Sequence, residues 1–423
     1  MSKLIDSALV RTPPSIVIGA GIAGACAAAF LQRAGESVVV LDPLPGTGGA
    51  SFGNAGIVSA DTAVPIALPG MIWNVPKWLI DPLSPLSVRA AYLPQATPWL
   101  ARWIRAGMMD RVEPISRAIR NLHREVWSVY RELLGDSFDD LLRPFGHVQL
   151  FEGTRESRTA SIERLIRKRR EIEAHDLTAA ELREMFPGLS GERMRGIMIP
   201  GNGHTVNPSR LVLSIAEKAR QAGVEFRAEK ALKLIPESNG GWLVMTNCGT
   251  HVAKRVVVTA GAWSGELLEP LGIDLPLDTE RGYHAMFKDP GMTVPFTILH
   301  KDWGMSISPT ECGLCASGTV EIAGLRAPPN EARARVLVTK AKRLFPDLST
   351  ESRSFWIGFR PSFPDSLPVV GPSRKFGNLF FLFGHGHYGM TGGPTGAKLL
   401  AQLIVGRAPF IDPAPYSASR FGQ

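Results

Sequence analysis

SIVIGAGIAGACAAAFLQRAGESVVVLD, Ser15 to Asp42, is the stretch from which the fold is read. SIVI is an apolar run the length of one buried strand, GIAGACAAAFLQRAG is a helix of small residues, and SVVVL is a second buried strand. Between the first strand and the helix stand Gly19, Gly21 and Gly24, a GxGxxG. There the tight turn, the approach of a pyrophosphate and the packing of helix on strand each exclude a side chain. The helix N-terminus adds free N–H groups and the positive end of its dipole. Asp42 ends the second strand and can accept hydrogen bonds from a ribose, and no arginine follows it to hold a 2′-phosphate. Strand, helix, strand and acid in register predict a dinucleotide site on a parallel α/β sheet. They do not distinguish FAD from NAD.

Three later stretches bear on that choice. GGASFGNAG, Gly48 to Gly56, is a small-residue run that lets backbone approach an aromatic ring system, with Asn54 able to hydrogen-bond it. VVVTAGAWS, Val256 to Ser264, is a buried strand ending in small residues, and GHGHYGMTGGP, Gly384 to Pro394, is a glycine-rich loop that opens a helix. A fourth stretch, GFRPSFPDSLPVVG from Gly358 to Gly371, contains Arg360, a fork suited to bidentate carboxylate binding.

With these motifs in this order, the chain resembles the FAD-dependent amine oxidoreductases of the D-amino acid oxidase group, most nearly their bacterial D-amino acid dehydrogenase branch. The resemblance runs from SIVIGAGIAGACAA to TGGPTGAKLLAQLI. It implies a Rossmann-like FAD-binding domain of residues 12–64, 196–275 and 355–412. Interleaved with it, an α+β substrate-binding or cap domain of residues 65–195 and 276–354 would carry a large, mainly antiparallel sheet. It implies FAD held by Gly19, Gly21, Ile22, Ala23, Gly24, Asp42, Gly49, Ala50, Ser51, Asn54, Ala55, Gly56, Ala260, Gly261, Trp263, Arg360, Gly386, His387, Tyr388, Gly389, Met390 and Thr391. SFGNAG offers no His or Cys beside the ring, so the FAD is expected to be non-covalent. Arg360 is implied as the substrate clamp.

Tyr283 and His284, in TERGYHAMF, fall on the strand expected to face substrate, and alternation allows only one of them to point there. Tyr283 is the reading adopted, and His387 is the further candidate for binding substrate or assisting loss of the amine proton. The implied reaction is oxidation of a D-amino acid, or of a cyclic or N-methyl amino acid, to an imine that water hydrolyses. Electrons would pass to a quinone or to oxygen. A flavin-dependent 2-hydroxy acid dehydrogenase, using the same carboxylate clamp, is the alternative; a third reading is a flavin-bearing subunit of a larger complex.

The remaining features set bounds. At 423 residues, 44% hydrophobic and 20% charged, the chain suits two domains of an ordinary globular protein. Its net charge of +8 favours anionic partners such as carboxylate substrates, without implying nucleic acid. The basic run Arg164 to Arg170, flanked by glutamates, predicts a solvated helix face. Four cysteines are too few for a disulfide scaffold, and Cys312 and Cys315 have no second pair or nearby His to make a metal site. No secretory signal and no apolar run of membrane-spanning length is legible, so a cytoplasmic location is expected. Residues 65–111 carry Trp73, Trp78, Trp99 and Trp103 among prolines and arginines. They read as core beneath a helical cap or as peripheral contact with the inner face of the cell membrane.

Overall fold

The computed structural model describes residues 13–71, 84–153, 155–191 and 194–423. Ser15–Ile18 and Val38–Leu41 are fully buried strands of a six-stranded sheet. In strand order its members are Glu225–Arg227, Val38–Leu41, Ser15–Ile18, Arg255–Val258, Leu379–Phe383 and Val369–Pro372, all parallel except the last pairing. Strands buried on both faces need no polar alternation, which is why they read as unbroken apolar runs. The alanine-rich helix Ile22–Arg33 fits between this sheet and the helices Pro208–Gln221 and Gly389–Ile404, with Ala25 to Ala28 fully shielded from solvent. Small side chains permit the three helices to pack closely.

A nine-stranded, mainly antiparallel sheet forms the second layer. It runs from Arg353–Ser362 through Asp278–Phe287, Gly313–Ile322, Met305–Thr310, Thr297–His300 and His147–Glu152 to Met194–Ile199 and His175–Leu177, with Leu86–Val88 paired to Gly313–Ile322. The helix Glu331–Leu344 covers one face, burying Leu337 and Ala341 against Tyr283, Ala285 and Phe287. The opposite face looks toward the six-stranded sheet. Divisions at 195/196 and 354/355 would cut two strands of this sheet, Met194–Ile199 and Arg353–Ser362, both held in it by continuous ladders.

Local signals place several helix ends. Thr178 and Glu181 form a reciprocal capping box, and Asn207 caps the helix that begins with Pro208. Pro394 lies inside the last helix and has no N–H to offer the carbonyl of Met390. The Tyr130 hydroxyl donates to that carbonyl instead, at 2.7 Å.

The basic run is less solvated than its sequence predicts. Arg164 pairs with Glu156 and Asp176, Arg169 and Arg170 pair with Glu113, and Arg167 turns inward onto buried Glu163. Cys312 is exposed at a hairpin turn, whereas Cys315 is buried on the following strand, where burial pushes its thiol up to about 11. No group of ligands that could hold a metal occurs among the described residues.

Of the tryptophan-rich segment, Trp73 and Trp78 lie outside the described residues. Trp99 and Trp103 are buried in the helix Leu93–Ala106, and the Trp99 Nε1–H donates to the carbonyl of Ser362 at 3.2 Å. Among the described residues no helix is long and apolar enough to cross a membrane.

Candidate active site

Between the two sheets lies a cavity of about 810 Å³. One end is the glycine turn. Gly19 has φ +108°, and a Cβ there would stand 2.5 Å from the carbonyl oxygen of Thr259. A Cβ on Gly24 would stand 1.8 Å from the carbonyl oxygen of Gly19, so helix and strand could not close together. Ser51 Oγ accepts the Ile22 N–H at 3.0 Å, tying the following loop to the start of the helix. Asp42 borders the cavity as expected of a ribose acceptor, but its two carboxylate oxygens also organise the chain. Oδ2 accepts the N–H of Ala20 and Oδ1 that of Leu44, each at 2.7 Å, with lone pairs remaining on both.

The cavity continues past Gly49, Ala50, Ser51, Asn54, Ala55, Ala260, Gly261 and Trp263. Asn54 spends its carbonyl oxygen on the N–H of Gly56, an Asx turn, and has its amide donors left for a ligand. The aromatic surface that excludes a side chain in this loop is the protein's own. A Cβ on Gly53 would meet the ring of Trp356 at 2.2 Å. The Gly386–Tyr388 turn and the first residues of the helix Gly389–Ile404 close the other side, where Thr391 Oγ1 accepts the Ser59 N–H at 3.0 Å. That helix points its positive end into the cavity. A continuous cleft floored by glycine backbone, with an acid at one end and helix N–H groups at both, fits FAD.

The far end is built from side chains of the nine-stranded sheet. On Asp278–Phe287, Glu280, Gly282 and His284 share the face toward the cavity, as strand alternation requires. Gly282 leaves room for Arg360. A Cβ there would stand 2.2 to 2.4 Å from the guanidinium atoms. Arg360 Nη1 donates to the carbonyl of Thr319 at 3.3 Å. Thr319 has φ 50°, a costly conformation for a β-branched residue, at a bulge where the register of the two strands shifts. No carboxylate lies within 4 Å of Arg360 among the described residues. Burial works against its charge and Glu280, its partner across the ladder, supports it.

The expectation for Tyr283 is corrected. Part of the residue borders the cavity, but its hydroxyl lies on the opposite face of the strand, 2.6 Å from Glu321 and accepting the Asn330 N–H at 3.0 Å. Those partners satisfy it there, and burial followed by the Glu321 contact pushes its pKa up to about 12. His284 is on the cavity face but is also engaged. Its Nδ1–H donates to the carbonyl of Gly53 at 3.0 Å and its ring stacks on Trp356, bolting the SFGNAG loop to the sheet. His387 borders the cavity, with Nε2 2.7 Å from Glu280. Tyr388, beside it, donates to the carbonyl of Val64 at 3.2 Å. Glu280, Gly282 and Trp356 escaped the sequence reading. The alternation Glu280, Gly282, His284 was the signal available for the first two.

A family profile described as FAD dependent oxidoreductase matches residues 15–403. A D-amino-acid oxidase of Bradyrhizobium diazoefficiens is 36% identical over 413 residues, covering 96% of this chain and 98% of that protein. Among solved structures, glycine oxidase from Geobacillus kaustophilus superposes with a TM-score of 0.72 at 22% identity, covering 97% of this chain and 99% of that one. Iminodiacetate oxidase from Chelativorans sp. BNC1 gives 0.71 at 22% identity, over 95% of this chain and 98% of the other.

Proposed function

The chain belongs to the FAD-dependent oxidoreductase family that contains amino acid oxidases, and from that premise we propose that it oxidises the C–N bond of a small D-amino acid, with Arg360 holding the substrate carboxylate. The observation that carries this reading is a guanidinium at the wall of the cavity with no carboxylate of its own within ion-pair distance among the described residues. A bidentate fork with no carboxylate in ion-pair contact among the described residues is poised for one that arrives with the substrate. The D configuration is supported by the likeness to the Bradyrhizobium protein.

FAD, when bound, supplies the ring that accepts hydride. The protein's part is to hold the substrate, orient it and exclude water. Arg360 fixes the carboxylate end, the bare backbone of Gly282 gives the guanidinium its place, and the Thr319 carbonyl holds one of its nitrogens. The helix end at Gly389 stabilises negative charge that develops beside it. His387 stands within the same wall and is the group available to receive a proton. The imine formed is released to water and hydrolyses to the oxo acid.

For the onward electrons, oxygen and a membrane quinone are both open routes. The helix Leu93–Ala106 supports the second by exposing Leu93 and Ile104 beside Arg102 and Arg105. Co-sedimentation with anionic vesicles together with oxygen uptake separates the routes.

The reaction itself is tested by anaerobic mixing with D-, L- and N-methyl amino acids and with 2-hydroxy acids. Bleaching of the flavin by a D-amino acid is the expected outcome. Bleaching by a 2-hydroxy acid alone would replace the proposal with its alternative.

A further inference from the structure

Glu280 takes no part in holding the substrate carboxylate, yet it is a charged group in the middle of a sheet, 7% exposed. It stands opposite Arg360 in the ladder and on the face that bears Gly282. A single oxygen, Oε2, accepts from Ser362 Oγ at 3.0 Å and lies 2.7 Å from His387 Nε2. Burial alone would push this carboxyl up, but His387, Arg360 and the Ser362 hydroxyl together hold it below its ordinary value. An ionised carboxylate only accepts, so Nε2 must carry the ring proton. Whenever the ring is neutral, its lone pair is therefore on Nδ1. That nitrogen has no hydrogen-bond partner among the described residues, on a ring that borders the cavity.

We propose that Glu280 is a positioning residue that fixes His387 in this tautomer, so that Nδ1 accepts the proton an ammonium group must lose before its Cα–H bond breaks. The inference rests on the amino acid reading above. In this step an N–H bond of the substrate breaks and an N–H bond to Nδ1 forms. The substrate nitrogen keeps the electron pair that later becomes the second bond of C=N. The imidazolium is stabilised by Glu280 and returns its proton to water after the product leaves. The wall thus presents a cationic fork and, across the ladder, an anion-backed acceptor. These two poles match the carboxylate and ammonium ends of a zwitterion, and a hydroxyl substrate would leave the second pole without a charge to meet.

The other titratable groups near the ring do not compete at neutral pH. They are Arg360 on Arg353–Ser362, Asp278 two residues from Glu280, and His385 and Tyr388 of the loop itself. Burial keeps the His385 pKa down at about 4 and the Tyr388 pKa up at about 12, and Asp278 accepts from the Tyr92 hydroxyl at 3.1 Å.

Two variants of the flavin-loaded enzyme test this. Glu280→Gln removes the charge but retains the shape. In it the acid limb of kcat/KM should move to lower pH and the plateau kcat fall roughly ten- to hundredfold, while KM changes less than threefold, a part of the ~10²- to 10⁴-fold that a positioned general base contributes. His387→Asn should abolish the acid limb. Independently of turnover, nitrogen-15 NMR of labelled histidine should show a single Nε2–H tautomer for His387 in the wild type. Its titration should shift to lower pH in Glu280→Gln. If a folded, flavin-binding Glu280→Gln leaves both the titration and the acid limb in place, or His387→Asn turns over at the wild-type rate, the proposal is wrong. If no amino acid reduces the wild-type flavin, the substrate reading fails and the proton role with it, whereas the NMR still reports whether Glu280 sets the tautomer.

Discussion

The two ends of the cavity are made by different means. At the cradle end, the site is formed mostly with backbone around a turn whose glycines lie close together in the chain, and the identity that matters is the lack of a side chain at Gly19 and Gly24. At the sheet end, charged and polar side chains from segments far apart converge. Glu280 and His387 are 107 residues apart, and Glu280 and Ser362 are 82 apart. A turn that depends on empty space tolerates almost no added atom, whereas a side-chain cluster can lose a member and keep its fold. The cradle should therefore fail as a unit and the sheet end by degrees.

Gly24→Val tests the first half of that contrast. Its Cβ would fall on the Gly19 carbonyl oxygen at 1.8 Å, backbone that cannot move aside. The expected result is loss of flavin and of cooperative folding, seen as a collapsed flavin-to-protein absorbance ratio and no thermal transition. A yellow, folded variant would show that the turn is less constrained than its geometry implies.

Acid acts on both ends at once. Burial is the main cause that holds His123, His147 and His300 neutral down to about 3, and His385 down to about 4. Unfolding returns each to an ordinary value of about 6.5. Between these limits the unfolded chain binds the extra protons. Stability is therefore full above about pH 6.5 and falls as pH drops below it, by about 1.4 kcal/mol per pH unit for each imidazole. A Tm that stays level from pH 7 to about pH 5 would contradict this.

Arg360→Ala tests the second half. Substrate binding should weaken by ~2 to 4 kcal/mol while flavin content and spectrum stay intact, because the carboxylate loses its fork but the cradle is untouched. Unchanged saturation would remove Arg360 from the site. The smallest effect is expected at Tyr130→Phe, which takes the donor from the Met390 carbonyl freed by Pro394. The cost should be about 1 to 2 kcal/mol of unfolding free energy in a denaturant titration. An unchanged midpoint would mean that another donor replaces the hydroxyl.

The same contrast explains what could be read from the chain. The cradle was legible because its motif lies within Ser15 to Asp42 and acts through glycine, a residue type that the sequence displays directly, although the carbonyl that excludes a side chain at Gly19 comes from Thr259. Helix caps at Thr178 and Asn207 were legible for the same local reason. At the sheet end the motif carrying Arg360 could be recognised, but its surroundings could not. Alternation does not say which way Tyr283 points, because the face a strand turns inward depends on what covers each side, and here the helix Glu331–Leu344 and Glu321 claim its hydroxyl end. Asn54 reads from sequence as a cofactor ligand alone, while in the fold its carbonyl oxygen also serves the loop itself, and neighbouring Gly53 makes room for the ring of Trp356. Glu280 was passed over because its partners are remote in sequence.

A crystal structure of the flavin-loaded protein with a slowly reacting D-amino acid would test the whole arrangement most directly. The expected complex has the carboxylate bonded to both terminal nitrogens of Arg360 and the amino nitrogen on the side of His387, next to a flavin lying between the Gly19 turn and the Gly389 helix end. A substrate seated elsewhere, with Arg360 turned to an internal carboxylate, would contradict it.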